Sequence, residues 1–305
     1  MRAALLYGPG DLRIEDVTEP VAGPGEIVLA IGAAATCGTD VKSVKRGHPT
    51  IASYPARLGH EFAGTVEAVG EGVTNVAAGD VVFCANSAPC GVCRQCTRGR
   101  ESLCEDLLYV LGGFAEKLLV PERVVAKNLH PLHETVPLEV APLAEPLACA
   151  VHALDALTVE GPVAILGAGS LGLMLTALVA DLGGEPVVLD PHPERLAAAR
   201  RFGAAHTIQA TRGHQDVAAA REHRPDLVIE AVGRCSRAAA MSPGPRVAWM
   251  VWAAPKRRAA ASRSGCGSRT IGSPPASATS AVSIRPSEPP PRIATGPSTV
   301  TTSSA

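Results

Sequence analysis

The sequence predicts an α/β protein: a β-rich first part, then a doubly wound parallel sheet, then a final segment without regular structure. Three observations carry this. Short β-branched segments, punctuated by Gly and Pro, fill the chain to about residue 150. From Pro162 onward strands alternate with helices, and a glycine turn joins the first pair. From Pro255 to the end neither helical nor alternating spacing persists, and Ser, Pro, Ala, Arg and Thr dominate.

The brief apolar run within Met1–Gly10 is stopped by Gly8 and Pro9, too short for the apolar core of a signal peptide. Glu26–Ile31 alternates as a half-buried strand should. Phe62–Gly70 is similar and is closed by Gly70 and Gly72. Asp80–Phe83 is a short apolar strand, and Phe114–Val120 and Arg123–Val125 read as two more. The spacing of Gly and Pro predicts a partly open barrel with no long helices. Between Pro137 and Leu157 the period changes. Ala141, Ala144, Ala148, Val151 and Leu154 recur at helical spacing and make a bridge into the second part.

That part opens on a buried strand, Pro162–Leu166. The turn Gly167-Ala168-Gly169-Ser170-Leu171-Gly172 leads into an apolar helix to Leu182, ended by Gly183-Gly184. Pro186–Asp190 is the next strand, Glu194–Phe202 a helix, and His206–Ile208 and Asp226–Ala231 two further strands. Val247–Trp252 completes the pattern. Strands and helices in alternation imply a parallel sheet.

At 305 residues the chain has room for two domains, expected at 1–150 and 151–254, with 255–305 a tail. Net charge is -1, which gives no electrostatic case for nucleic acid or an anionic membrane. The longest apolar stretch, near Leu171–Leu182, contains Asp181 and falls well short of the ~18 residues of a membrane span. A cytoplasmic protein is expected. Nine cysteines, an odd number, argue against a disulfide framework.

Four of those cysteines form Cys90-x2-Cys93-x2-Cys96 followed by Cys104. Such spacing lets the thiolates turn onto one tetrahedral ion, and four sulfurs leave no open position, so this is a structural zinc site. Cys84, Cys149, Cys235 and Cys266 lack ligand-like neighbours and read as small hydrophobes or incidental residues. A second set lies between Cys37 and Glu61. Cys37, His60 and Glu61 supply a thiol, an imidazole and a carboxylate, the donor types of a catalytic zinc that keeps one position open. The glycine turn sits where a dinucleotide fingerprint belongs, after a strand and before a helix. Gly167 permits the turn, Gly169 lets the backbone approach a pyrophosphate, and Gly172 lets helix and strand pack. The helix N-terminus then faces the phosphate charge. Asp190 follows about 20 residues on, where a carboxylate binds the adenosine ribose and repels a 2′-phosphate, favouring NAD over NADP. Arg195 either covers the adenine end or is a solvated helix charge.

These motifs in combination resemble the zinc-containing medium-chain dehydrogenase/reductases of the alcohol dehydrogenase superfamily, nearest the polyol and threonine dehydrogenase-like branch. The matching text is Cys37-Gly38-Thr39-Asp40, Leu58–Gly64, the cysteine lobe, Gly112–Glu116 and Ala144–Ala148. It continues through the glycine turn to Ile229-Glu230-Ala231-Val232-Gly233, so the match covers residues 1 to 233. The resemblance implies a GroES-like zinc-binding catalytic domain followed by a Rossmann NAD-binding domain. It implies two zinc ions and NAD. The catalytic zinc is implied to be held by Cys37, His60 and a carboxylate, the role being shared by Glu61 and Glu145. Thr39 is implied to relay a proton, while Asp40 reads as structural. Lys42 stands where several relatives carry a His, and His48 is the nearest imidazole, so the outer route of the proton differs here. Dinucleotide contacts are implied at Gly167, Gly169, Ser170, Leu171, Gly172, Asp190, Arg195, Val232 and Gly233. The implied reaction passes hydride between a small secondary alcohol or polyol and NAD.

The tail departs from the resemblance. Arg269–Ser273 faintly matches the last strand of the relatives, and nothing after it matches the segment that completes their catalytic domain. A frameshift between Cys235 and Pro255 accounts for this, and sequencing the gene tests it: alternative frames without family-like text would exclude it. The tail is expected to be disordered. The other function to weigh is a truncated relative that binds zinc, and NAD, without turnover. Relatives often pair the far sheet edge between subunits, so a homodimer or homotetramer is expected only if that edge is intact.

Overall fold

The computed structural model describes residues 1–49, 51–155, 157–210 and 219–232, and the backbone of 246–249. Gly233, Cys235, Cys266, residues 250–252 of the expected last strand and the whole 255–305 tail lie outside the described residues.

The chain begins with an antiparallel hairpin of β1 (Arg2–Gly8) and β2 (Asp11–Asp16). Next come β3 (Ile27–Ala35), α1 (Gly38–Arg46), the short β4 (Ala56–Arg57) beside β1, and β5 (Glu61–Val69). After β6 (Val81–Cys84), the pair β7 (Ser87–Ala88) and β8 (Leu108–Tyr109) brackets the cysteine lobe. β9 (Lys117–Val120), α2 (Glu122–Asn128) and β10 (Leu129–Pro131) follow. The main sheet here is antiparallel, in the order β10-β6-β5-β3-β9. Ile27, Leu29, Phe62, Val66, Val82 and Val120 fill one core against it.

Two strand expectations need correction. Arg123–Val125 is part of helix α2. Pro121 caps it in an extended conformation, Glu122 occupies its first turn, and the helical turn delivers both Val124 and Val125 to the core. β-branched composition loses here to tertiary burial. The expected Phe114–Val120 strand is shorter, because Phe114 leaves the ladder with β3 and its carbonyl accepts the Ala4 N–H instead. The β1–β2 hairpin and α1 have no counterpart in the sequence reading.

A 3₁₀ turn at Leu138–Leu143, containing Pro142, leads into α3 (Ala144–Asp155). The second sheet comprises β11 (Pro162–Leu166), β12 (Glu185–Asp190), β13 (His206–Gln209), β14 (Leu227–Glu230) and β15 (Arg246–Trp249). α4 (Ser170–Asp181) and α5 (Pro193–Arg201) connect the first three strands. All pairings are parallel, in the order β13-β12-β11-β14-β15. Val163, Ile165, Val188 and Ile229 pack with Leu175, Val179 and Leu196, while Ala164, Leu166, Val187 and Leu189 fill the opposite face. Burial on both faces explains why β11 and β12 read as continuous apolar runs. The chain builds outward from β11 to β13, then returns to the other side of β11 at β14. That reversal opens a crevice at the carboxyl ends of β11 and β14, where ligands of such sheets bind.

Candidate functional site

Strand register brings the first donor set together. Ala35, the last residue of β3, pairs with Glu61, the first of β5. Cys37 lies just past the end of one strand and His60 just before the start of the other, so the two side chains meet. One ligand atom each from Cys37, His60 and Glu61 lie within 4.8 Å of one another. His60 and Glu61 are buried and Cys37 is half-buried. The three donor types are those of zinc, and atoms within 4.8 Å of one another need only a small side-chain adjustment to reach bonds of ~2.0–2.3 Å to one ion, so the set suits zinc.

Asp40 holds the set in place. It is 4% exposed and sits in the first turn of α1, which Cys37 caps. Its Oδ2 accepts the Cys37 N–H at 2.9 Å, and its Oδ1 accepts from the Gly59 N–H at 3.3 Å and from His60 Nδ1 at 3.2 Å. An ionised carboxylate only accepts, so the network assigns the proton to Nδ1 and leaves the Nε2 lone pair for a metal. Burial works against a charge on His60, but the bonds to Asp40 and Cys37 outweigh it and raise the imidazole to about 10, so the second ring proton, on Nε2, is the one a metal would displace. Asp40 is thus a positioning residue that the sequence reading treated as merely structural. Asp40→Asn turns an amide N–H toward these donors. It is expected to weaken zinc binding at this set by ~10–100-fold, read by competition with a chromophoric chelator, with the far-ultraviolet circular dichroism unchanged.

Glu145 stands outside the trio, in the first turn of α3. Asn86 Nδ2 donates to its Oε1 at 3.1 Å. Burial pushes the Glu145 carboxyl up to about 6, with His60 opposing and Glu61 adding to the rise. Glu61 is raised too, by burial first, against the pull of His60 and Cys37. Two carboxylates therefore share one electrostatic neighbourhood with His60. Cys149 joins them: it lies one turn beyond Glu145 on α3, and burial, then Glu145, Cys37 and Glu61, push its thiol up to about 11. Its thiol feels the charge of Glu145, Cys37 and Glu61 but is not among the clustered donors, in keeping with its reading as a small apolar residue. Cys84 is a core residue as expected, buried and pushed up to about 12. Thr39 is half-buried in the first turn of α1, beside Cys37 in sequence.

The four lobe cysteines form a second cluster. Sulfur pairs lie 4.0 Å (Cys90–Cys96), 3.5 Å (Cys93–Cys96) and 3.9 Å (Cys93–Cys104) apart. A tetrahedral ion with ~2.3 Å bonds needs about 3.8 Å between sulfurs, so the lobe fits zinc closely. Backbone N–H groups already point at the sulfurs, Cys93 toward Cys90, Cys90 toward Cys104 and Glu105 toward Cys93. The N–H groups of Cys96 and Glu105 lower the Cys93 thiol to about 6, whereas burial pushes Cys96 up to about 12.

The glycine turn lies in the crevice. Gly167 has φ +102°. A Cβ on Gly172 would stand 1.9 Å from the Gly167 carbonyl oxygen, so only glycine allows α4 to start this close to β11. Gly169 caps α4, Ser170 is exposed on its first turn, and Leu171 packs on the core beneath. Val232, half-exposed, overlies Gly167, and its N–H donates to Glu230 Oε1 at 2.7 Å. Asp190, buried at the end of β12, accepts the Ala168 N–H at 2.9 Å and so ties the turn to the next strand. Arg195 Nη1 is 3.8 Å from Asp190 Oδ2. Burial would raise the Asp190 carboxyl, but the Ala168 and His192 N–H groups, the His192 ring and Arg195 hold it below the ordinary carboxylate range. His192 has no place in the sequence reading, although its position two residues beyond Asp190 was the available signal. Gly172→Ala is expected to destabilise the fold by about 1–3 kcal/mol through this overpacking and to weaken dinucleotide binding at least tenfold, checked by thermal melts and fluorescence titration with NADH.

Residues 23–131 match the family model for the alcohol dehydrogenase GroES-like domain. A sorbitol dehydrogenase of Bombyx mori is 31% identical over 243 residues, covering 76% of this chain and 70% of that protein. An L-threonine 3-dehydrogenase of Mesorhizobium japonicum is 35% identical over 207 residues, covering 65% and 59%. A crystal structure from Sinorhizobium meliloti 1021 bound to NADP superimposes with a TM-score of 0.68 at 30% identity, covering 76% of this chain and 70% of that one. The chain thus spans about three fifths to seven tenths of the length of these proteins. Among the described residues no helix is long and apolar enough to cross a membrane.

Proposed function

Because this chain belongs to the zinc-containing medium-chain dehydrogenase/reductases, in their polyol and threonine dehydrogenase-like branch, we propose that it transfers hydride between a small secondary alcohol or polyol and NAD. The observation that carries this reading is the convergence of a thiol, an imidazole and a carboxylate within 4.8 Å. Cys37, His60 and Glu61 would hold the catalytic zinc, and Cys90, Cys93, Cys96 and Cys104 a structural one. A zinc ion at the first set supplies a Lewis acid toward a hydroxyl oxygen, and a bound nicotinamide supplies the hydride acceptor.

The chain's own groups do the rest. Asp40 keeps the His60 Nε2 lone pair aimed at the trio. Thr39 takes the hydroxyl proton and passes it outward. Glu145, held by Asn86 and raised by burial to about 6, is the second carboxylate able to alternate with Glu61. The turn from Gly167 to Gly172 receives the pyrophosphate, with Ser170 and Leu171 on its helical side and Val232 across the crevice. Asp190 accepts from the adenosine ribose hydroxyls, which favours NAD. In this reading residues 1–150 carry the zinc chemistry and 151–254 the dinucleotide.

The test is reduction of NAD by a panel of secondary alcohols and polyols, with and without a zinc chelator. Chelator-sensitive turnover on at least one polyol is expected. Binding of zinc and NADH with no reduction across the panel would replace this reading with one of binding without turnover.

A further inference from the structure

Asn86 is firmly placed for a residue between strands. It is 8% exposed and lies between β6 and β7, at the root of the cysteine lobe. Its carbonyl accepts the Val110 N–H at 2.7 Å. Its two neighbours are pinned by one residue of α2: the Ala85 N–H donates to the Asn128 carbonyl at 3.0 Å, and Asn128 Nδ2 donates to the Ser87 carbonyl. The helix that supplies this pin is itself anchored in the core by Val124 and Val125. From this fixed backbone the Asn86 side chain reaches the first turn of α3, where Nδ2 donates to Glu145 Oε1 at 3.1 Å.

Glu145 shares an electrostatic neighbourhood with His60 and Glu61. Yet among the described residues the close donor set there is Cys37, His60 and Glu61, without Glu145. A carboxylate binds a metal better than water does, so a free Glu145 would compete for the position that a catalytic zinc keeps open. The Asn86 amide opposes that move. Its bond to a charged acceptor is one of the stronger kinds, and its pinned backbone keeps it from following the carboxylate. We infer that Asn86 restrains Glu145, so that Glu61 is the resident carboxylate and the open position stays free for an incoming oxygen. Asn86 acts through Glu145 and is a positioning residue. This inference deepens the zinc reading above and rests on it.

The test loads the full chain with cobalt in place of zinc and titrates it with imidazole, which takes an open metal position and shifts the visible absorption bands. The lobe has no open position and gives a constant background. Asn86→Ala is expected to weaken imidazole binding by about tenfold, the loss of one charge-assisted bond. Adding Glu145→Gln should restore the affinity to within about threefold of wild type, a rescue that a merely structural role for Asn86 would not give. Glu145→Gln alone should move it by less than about threefold, because Glu145 does not hold the position in the wild type. The restraint is overturned, with the zinc reading intact, by any of three results: Asn86→Ala binding within about threefold of wild type, a loss that Glu145→Gln leaves in place, or binding tightened more than about threefold by Glu145→Gln alone. If imidazole leaves the bands of wild type unchanged, the zinc reading itself fails and takes this inference with it.

Discussion

His60→Ala is expected to empty the Cys37–His60–Glu61 set and to lower turnover on any accepted polyol by about 10³-fold or more. The magnitude follows from what the metal supplies. Lewis-acid stabilisation is worth several kcal/mol, and each ~1.4 kcal/mol is tenfold in rate. The remaining thiol and carboxylate form a two-donor set, too few for a stable zinc site. Asp40 would also lose the ring that uses one of its oxygens, leaving a buried carboxylate with the N–H groups of Cys37 and Gly59 alone. Metal analysis should fall from two zinc ions per chain to one. A variant that keeps both ions, or that loses one without losing turnover, removes this set from the chemistry.

Cys93→Ser should have the complementary result. Cys93 is the hub of the lobe, with sulfur contacts to Cys96 and Cys104 and the Glu105 N–H pointing at it. Structural zinc sites contribute folding energy outright, up to ~10–16 kcal/mol in isolated fingers, and the lobe between β7 and β8 has little apolar core of its own. Val92 and Leu103 are 82% and 60% exposed. Losing the ion should therefore unfold the lobe locally. The exposed Arg94, Arg98 and Arg100 then become trypsin sites, with cleavage expected to accelerate by roughly tenfold or more as the local opening free energy falls. The first zinc set should stay loaded. Cleavage at the wild-type rate, with one zinc missing, would mean that the lobe is ordered by other contacts.

Much of this was readable from residues. β11, the glycine turn and Asp190 carry local signals, because a parallel strand is a continuous apolar run and a close helix–strand contact demands glycine at Gly172. The cysteine lobe is legible for the same reason: its ligands are near neighbours in sequence. The missing parts depend on pairing across distance. Asp40 reads as a structural acid until register sets it against His60. Asn86 acquires meaning only when α3 packs beside β5. Val124 and Val125 look like strand residues because their burial, which the helix α2 satisfies equally well, is invisible in composition. His192 carries no pattern of its own, and only the folded loop brings its ring to 2.8 Å from Asp190 Oδ1.

The most direct test of the account is a crystal of the purified chain measured at the zinc absorption edge. Two anomalous peaks are predicted, one among the four lobe sulfurs and one within bonding distance of Cys37 Sγ, His60 Nε2 and a Glu61 oxygen. A single peak in the lobe, with the Cys37 and His60 side chains fully ordered and bonded to no metal after zinc soaking, would contradict it.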